Sequence, residues 1–131
     1  MRHLVGWRSA PRTDTVELRH ARDYAAAVGI HAADLRPGAP VIPTMVASYL
    51  NEPPQVPDIE NFGRHWLNGT DRFTVHDVLR VGDQVDSVAT LTAADLKQGR
   101  SGPLGLLTFV TEFAVPGRGV AVVHTGTRLR R

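Results

Sequence analysis

Apolar residues near the start of the chain recur with the spacing of an α-helix. A candidate strand over residues 13–18 is followed by four apolar residues spaced i, i+3, i+4 and i+7, the pattern of one helix face. These residues are Ala21, Tyr24, Ala25 and Val28. Gly29 then provides the left-handed position at which helices commonly end. Residues 1–12 show no periodicity and are predicted to form an irregular arm.

The middle of the chain predicts a second, buried helix. Residues 35–43 contain three prolines and a glycine, so they cannot be helical. Thr44 is then expected to cap a helix over residues 45–50, which is apolar nearly all round and therefore predicted to be buried on most sides. A proline-rich loop over residues 52–60 follows it.

From Asp71 onward the hydrophobic period becomes two, which indicates strands. The first strand is predicted to run to Leu79, and the second from Val85 to about Ala94. Residues 95–103 are predicted to form a hairpin loop. The third strand would face inward with Leu107, Phe109, Thr111, Phe113 and Val115. The last strand, over residues 120–129, would face inward with Ala121, Val123, Thr125 and Thr127, which places His124 on the exposed or interface side. This order predicts an α+β chain with one buried helix against an antiparallel sheet.

Composition is that of a single soluble globular domain over residues 1–131. Hydrophobic residues make up 42% and charged residues 21%, with a net charge of +2. There is no apolar run of about 18 residues and no signal-peptide core, so we expect no membrane span and a cytoplasmic location. The absence of cysteine excludes disulfides and thiolate ligands. The six histidines lack metal-ligand spacing, and the arginines are scattered, so we expect no metal, no cofactor and no nucleic-acid partner.

Three segments together resemble a known fold family. These are Tyr24-Ala25-Ala26-Ala27-Val28-Gly29, Pro40-Val41-Ile42-Pro43-Thr44 and Leu79-Arg80-Val81-Gly82-Asp83. Their order over residues 13–130 resembles the hot-dog fold of MaoC-like dehydratases and hydratases, above all the N-terminal, non-catalytic type found in mycobacterial (3R)-hydroxyacyl carrier-protein dehydratases. The resemblance implies a sheet wrapped around a central helix, dimerisation as a double hot dog, and ligands that are thioesters of coenzyme A or of an acyl carrier protein.

The catalytic pair of that family does not carry over to this chain. MaoC-like enzymes place an Asp, and five positions later a His, after the first helix. Here Ile30 and Leu35 occupy those positions. His31 and Asp34 lie in the same loop and are the nearest substitutes, although solvent-facing loop residues are the simpler interpretation. Asp71 and His76 also stand five apart, but residues five apart in a strand point to opposite faces.

A second resemblance leads to the same conclusion. Residues 35–43 are similar to the His-Phe-Pro-Gly-x-Pro-Val-x-Pro motif of bacterial fatty-acid dehydratases. Leu35 again stands where that motif has its histidine, and Tyr49 stands at the position of the central-helix acid. The chain is therefore predicted to lack its own acid–base pair.

The sequence favours a non-catalytic, acyl-chain-binding subunit of a heteromeric 3-hydroxyacyl-thioester dehydratase or enoyl hydratase, in fatty-acid or polyketide biosynthesis. A catalytic MaoC-like partner would supply the Asp/His pair. Two alternatives stay open: a self-sufficient homodimeric hydratase or thioesterase, and a thioester-binding or assembly protein without catalysis. The residues predicted to border the substrate are Pro43, Thr44, Met45 and Tyr49. Lys97 and Arg100 are predicted to contact a carrier protein or a phosphate.

Overall fold

The computed structural model describes residues 1–31 and 34–131 as an antiparallel sheet of five strands with short helices packed against it. In chain order the strands and the α-helix are β1 (Arg12–Thr15), α1 (Leu18–Ala27), β2 (Trp66–Val75), β3 (Gln84–Gly99), β4 (Gly102–Val115) and β5 (Gly119–Arg130). Three 3-10 helices span Arg2–Leu4, Pro43–Tyr49 and Ile59–Phe62. The sheet order β1-β3-β4-β5-β2 leaves β1 and β2 at its edges. None of the helices in the described ranges has the length and apolar composition needed to cross a lipid bilayer.

Helix α1 lies where the apolar spacing predicts it. Ala21 and Ala25 are each only 2% exposed, and Gly29 adopts the expected positive φ of 79°. The preceding strand is shorter than predicted, because β1 ends at Thr15 and the helix already begins at Leu18. Val28 follows the last helical residue and is exposed, so the buried face is one turn shorter than the pattern indicated.

The central helix differs from the prediction in type and in its start. Pro43–Tyr49 is a 3-10 helix of seven residues, preceded by Ile42 in an extended conformation. A proline is well suited to the first turn because its missing N–H would be unpaired there anyway. Thr44 therefore lies inside the helix and does not cap it, and its hydroxyl is 2.8 Å from the hydroxyl of Tyr24 on α1. Burial is one-sided rather than all round, since Ser48 is exposed.

Strand boundaries in two regions of the sheet differ from the prediction. The polar residues 95–103 do not form a loop, because β3 and β4 stay paired to Gly99 and Gly102 and only Arg100 and Ser101 form the turn. Strand β2 begins at Trp66 rather than Asp71 and ends at Val75 rather than Leu79. Both errors involve polar, exposed strand residues, for which hydrophobic alternation gives no signal.

The inward face of β4 is confirmed, whereas that of β5 is confirmed at Ala121 and reversed from Val122 onward. All five inward residues predicted on β4 are buried. On β5 the register shifts opposite the Phe113/Ala114 step, and both Ala121 and Val122 are buried there. A one-residue shift moves every later side chain to the other face of a strand. His124 is consequently buried, with 2% exposure, and the prediction that it is exposed is wrong.

Two apolar clusters cover the inner face of the sheet and leave its centre less tightly filled. One surrounds the central helix and includes Met45, Val46, Leu79, Phe113 and Val122. The other lies under the N-terminal arm and residues 56–62, and includes Leu4, Ile59, Leu91, Leu107 and Phe109. Between them the sheet carries small or polar residues, namely Ser87, Ala89, Thr111, His124 and Gly126. The short central helix stops before this band, at Tyr49.

Candidate functional site

A cavity of about 370 Å³ lies over the central band of the sheet. Its floor is formed by β3, β4 and β5, and its other walls come from the arm and from the segment that follows the central helix. The apolar part of the lining is Trp7, Ala10, Leu50, Pro54, Ala89 and Phe109. The polar part includes Tyr49, Ser87, Thr111, His124 and Arg128. The volume falls at the lower end of the range of small-molecule sites, and the mixed lining is typical of them.

The segment over the cavity is attached to the rest of the molecule on two sides. Arg12 on β1 donates a hydrogen bond of 3.0 Å to the Asn51 side chain. Arg128 on β5 contacts the carboxylate of the next residue, Glu52, from Nε at 3.1 Å and from Nη2 at 2.8 Å. These two contacts fix the polypeptide that closes the cavity above the sheet.

His124 and Asp71 form the closest polar contact at the cavity. Nε2 of His124 lies 2.6 Å from Oδ1 of Asp71 on the neighbouring strand β2. The ring of Phe73 covers the imidazole, with a centroid distance of 5.0 Å. Burial disfavours the ionised form of Asp71, but hydrogen bonds from His124 and Arg128 outweigh it and lower the pKa of this carboxyl. Asp71 is therefore a carboxylate at neutral pH, and His124 donates to it.

Arg128 holds both carboxylates of the site. Its side chain is 6% exposed and makes five hydrogen bonds, to Glu52 twice, to Asp71, and to the backbone carbonyls of Thr70 and Thr127. Burial acts to lower the pKa of Arg128, but the contacts with Glu52 and Asp71 dominate and raise it. Because a guanidinium has five N–H donors, Arg128 has none left for a ligand. Its role in the site is to position its neighbours.

Gly126 makes room for the two side chains on either side of it. A Cβ at this position would lie 2.6 Å from Cε1 of His124 and 3.0 Å from Nη1 of Arg128. Carbon atoms in contact are normally about 3.5–4.0 Å apart. Glycine is thus the residue that lets the imidazole and the guanidinium lie side by side on β5.

Tyr49 brings a protonated hydroxyl to the same cavity. Burial, with smaller contributions from Asp14 and Glu17, raises the pKa of Tyr49 to about 12. Its hydroxyl and Nδ1 of His124 are both buried and have no hydrogen-bonding partner among the described residues. The lining of the cavity therefore includes two residues, Tyr49 and His124, that each carry a buried polar atom without a partner in the described chain.

The positions that the resemblance assigns to the family's catalytic pair lie elsewhere, at the start of the central helix. Ile30 and Leu35 line a second pocket of about 280 Å³ together with His31 and Asp34. His31 and Asp34 are both exposed and share no hydrogen bond within the described part of the chain. The interpretation of these two residues as a displaced pair stays a prediction.

The other predicted site residues are dispersed. Met45 is 2% exposed and packs in the cluster around the central helix, outside the cavity lining. Pro43 and Thr44 also lie outside that lining, so among the predicted substrate contacts Tyr49 alone reaches the cavity. Lys97 on β3 and Arg100 in the turn are both exposed. The acyl and carrier contacts assigned to these residues stay predictions.

Sequence reasoning missed Asp71–His124 as a pair, although it considered both residues. The spacing of five residues suggests His76 as the partner of Asp71. The actual partner, His124, lies 53 positions away in the sequence. The sequence does contain one indication of the site, the run His124-x-Gly126-x-Arg128. Alternation along a strand places these two polar side chains and the glycine on the same face.

A family model agrees with this architecture. The model described as "FAS1-like, dehydratase domain region" matches residues 3–125. The chain belongs to this family. A comparison of this chain with curated protein sequences finds no match.

Solved structures show the same fold over nearly the whole chain. The truncated HadBC (3R)-hydroxyacyl-ACP dehydratase complex of Mycobacterium tuberculosis contains a chain with 17% identity and a TM-score of 0.72, with 96% of both chains covered. The ChsH1–ChsH2 complex of the same organism contains a chain with 18% identity and a TM-score of 0.72. The match covers 98% of this chain and 85% of that one. The (R)-hydratase of A. caviae involved in PHA biosynthesis has 20% identity and a TM-score of 0.66. The match covers 97% of this chain and 96% of that one. The predicted hot-dog fold of MaoC-like dehydratases is thus confirmed.

Proposed function

We propose that this chain is the non-catalytic, acyl-chain-binding subunit of a heteromeric 3-hydroxyacyl-thioester dehydratase or enoyl hydratase. The observation that carries the proposal is the separation of two features. The cavity of about 370 Å³ lies beyond the end of the central helix, whereas the family's catalytic positions lie at its start and are occupied by Ile30 and Leu35. Neither of these side chains has a proton to transfer, so the chain retains a binding space without the acid–base pair.

The edge of the sheet supports assembly with a second subunit. Among the described strands, β2 is paired on one side only, with β5, and eight of its ten residues are exposed. Leu67 and Val75 are 38% and 50% exposed on it. A long edge strand with free backbone groups and apolar side chains is a template for pairing with another chain. Two of the similar structures are complexes by name, HadBC and ChsH1–ChsH2.

In this proposal the partner carries out the chemistry. The Asp/His pair of a catalytic MaoC-like subunit would remove the α-proton of the 3-hydroxyacyl thioester and assist the loss of water, giving the trans-2-enoyl thioester. The present chain would hold the acyl tail. The carrier is coenzyme A or an acyl carrier protein, with Lys97 and Arg100 as the exposed basic residues at the β3–β4 hairpin that would meet it.

The test is an activity assay of the chain alone and of the assembled complex. The partner to co-express is a MaoC-like protein that retains the Asp/His pair, to be sought first in the reading frame adjacent to this one. We expect little or no turnover of 3-hydroxyacyl or enoyl thioesters by the chain alone, and turnover by the complex. The matched control mutates the partner's catalytic histidine, which should abolish the activity of the complex while leaving assembly intact. Substantial hydration by the pure chain would refute the proposal.

The alternative of a self-sufficient enzyme is favoured by one observation, the Asp71–His124 contact at the cavity. It requires Nδ1 of His124 to take the α-proton while the hydroxyl group at C3 leaves, and the same proton returns to that group to form water. Activity of the isolated chain that His124→Gln removes, and His31→Ala does not, would establish this alternative in place of the first.

A further inference from the structure

The cavity holds two buried polar groups that nothing in the described chain satisfies. Nδ1 of His124 and the hydroxyl of Tyr49 lack partners among the described residues, and their residues are 2% and 5% exposed. Both residues line the cavity. Proteins pair nearly all buried polar groups, and unpaired ones therefore require an explanation. Two of them on the wall of one cavity point to a polar group on the ligand.

The contact with Asp71 decides what His124 offers that ligand. A carboxylate only accepts hydrogen bonds, so Nε2 of His124 carries the hydrogen that lies on the 2.6 Å contact. In the neutral imidazole Nδ1 then has a lone pair and no hydrogen, and it acts as an acceptor. Tyr49 keeps its phenolic hydrogen and acts as a donor. The ligand group must therefore donate to one and accept from the other.

Hydrogen-bonding capacity excludes an anionic ligand group as the partner of both atoms. Asp71 and Glu52 bring two carboxylates to the single guanidinium of Arg128, all of whose N–H groups are used. Arg8 and Arg12 also line the cavity, so charge by itself does not exclude an anion there. A deprotonated carboxylate or phosphate only accepts hydrogen bonds, however, so it could pair with Tyr49 but would leave Nδ1 of His124 without a donor. A neutral hydroxyl group both donates and accepts. A ketone only accepts, and an alkyl chain does neither.

We propose that the cavity selects an acyl chain that carries a hydroxyl group in its tail, beyond C3, and that this hydroxyl donates to His124 and accepts from Tyr49. The proposal rests on the function proposed above and narrows its substrate class to acyl thioesters with a hydroxyl group in the tail, in addition to the one that reacts at C3. The apolar walls at Trp7, Leu50 and Phe109 contact the carbon chain on either side of the hydroxyl. Asp71 is a positioning residue, because it acts by fixing the tautomer of His124.

Binding of matched N-acetylcysteamine thioesters tests the proposal. The probes share one medium chain length and differ in having no substituent, a hydroxyl group at successive positions beyond C3, or an oxo group at the same positions. Calorimetry with the assembled complex should show one hydroxylated probe binding about tenfold more tightly than the plain chain, which corresponds to about 1.4 kcal/mol. The oxo probe at that position should bind about as weakly as the plain chain.

Two variants separate recognition from general packing. His124→Leu removes the acceptor and should abolish the tenfold preference while the plain chain still binds. Asp71→Asn lets an amide N–H donate to Nε2, so the imidazole can carry its hydrogen on Nδ1 and the preference for hydroxyl over oxo should collapse. Asp95→Asn is the matched control, since that carboxylate is exposed and contacts only Arg2, at 3.4 Å, among the described side chains. Nitrogen-15 NMR of the imidazole should show an unprotonated Nδ1 in the wild type and in the control, and a change in Asp71→Asn.

The outcomes distinguish this inference from the function on which it rests. If no acyl thioester binds to the complex, the proposed function fails. If plain and hydroxylated chains bind equally, or if N-acetylcysteamine without an acyl chain binds as tightly as the best probe, the inference is wrong while the proposed function stands. A protonated Nδ1 in the wild type would also overturn it, and that measurement does not depend on any variant folding.

Discussion

Replacing Gly126 with alanine tests whether the geometry of the His124 site is as tight as the structure indicates. The new Cβ would lie 2.6 Å from Cε1 of His124 and 3.0 Å from Nη1 of Arg128. The first distance is about 1 Å short of a normal carbon–carbon contact, so the imidazole or the strand must move. His124 cannot move freely, because Asp71 holds one edge of its ring and Phe73 covers its face.

The expected cost follows from overpacking a buried site. Inserting a methyl group without room for it typically destabilises a protein by about 1–3 kcal/mol. For a chain of this length each kcal/mol lowers the melting temperature by about 3–6 °C. We therefore expect Gly126→Ala to lower it by about 3–18 °C. The displaced imidazole should also lose its short contact with Asp71.

Gly105→Ala is the matched control, because it has the same nominal clash with a different neighbour. A Cβ at Gly105 would lie 2.6 Å from Cε of Met1, the mobile end of a flexible side chain that can turn away. Its cost should stay below about 1 kcal/mol. Thermal and urea unfolding followed by circular dichroism measure both variants, and imidazole NMR reports the Asp71 contact. Equal stability of the two variants, with an unchanged His124 spectrum, would refute the reasoning.

Three further predictions concern the charged site, the core and the sheet edge. Contacts with His124 and Arg128 lower the pKa of Asp71 in the folded state below its ordinary value of 3.8. The contribution of Asp71 to the free energy of unfolding is therefore complete above pH 3.8, and it is lost as the pH falls through the lower pKa of the folded state. Asp71→Asn should thus cost about 1 kcal/mol at pH 7, discounted for the exposure of the carboxylate, and unfolding curves should converge with the wild type at low pH. Met45→Trp should destabilise the fold by about 1–3 kcal/mol, since Met45 is buried among apolar residues, and activity of the complex on short and long thioesters should keep its ratio. Val75→Lys on the edge strand should weaken assembly by at least tenfold in light scattering and leave the melting temperature of the chain nearly unchanged.

Each of these has a clear contrary result. A stability gap for Asp71→Asn that persists unchanged at low pH would mean that the carboxylate contributes through packing and not through charge. A shortened chain-length preference in a well-folded Met45→Trp complex would return Met45 to the substrate site. Undiminished assembly of Val75→Lys, with the polar change Thr74→Lys as a control, would place the interface away from the end of β2.

Most of the fold was accessible from the sequence because it is recorded in local patterns. The spacing of Ala21 and Ala25 identified α1, and the alternation from Leu107 to Val115 identified the inner face of β4. Where a strand is polar and exposed the pattern disappears, which is why the first half of β2 and the ends of β3 and β4 were missed. The type of the central helix could not be predicted either, because an apolar run after a proline is compatible with an α-helix or a 3-10 helix.

The candidate site was accessible only from the tertiary structure. A register shift between β4 and β5 decides which face of the last strand is buried, and no local pattern records it, since the inward residues His124 and Arg128 are more polar than the outward ones. Asp71 and His124 are 53 positions apart and meet only because β2 pairs with β5 across the sheet. The sequence by itself determined the family, and it predicts that Ile30 and Leu35 stand where the usual acid–base pair would be. The pairing of strands, which depends on long-range contacts, decided where the cavity lies and which polar groups face it.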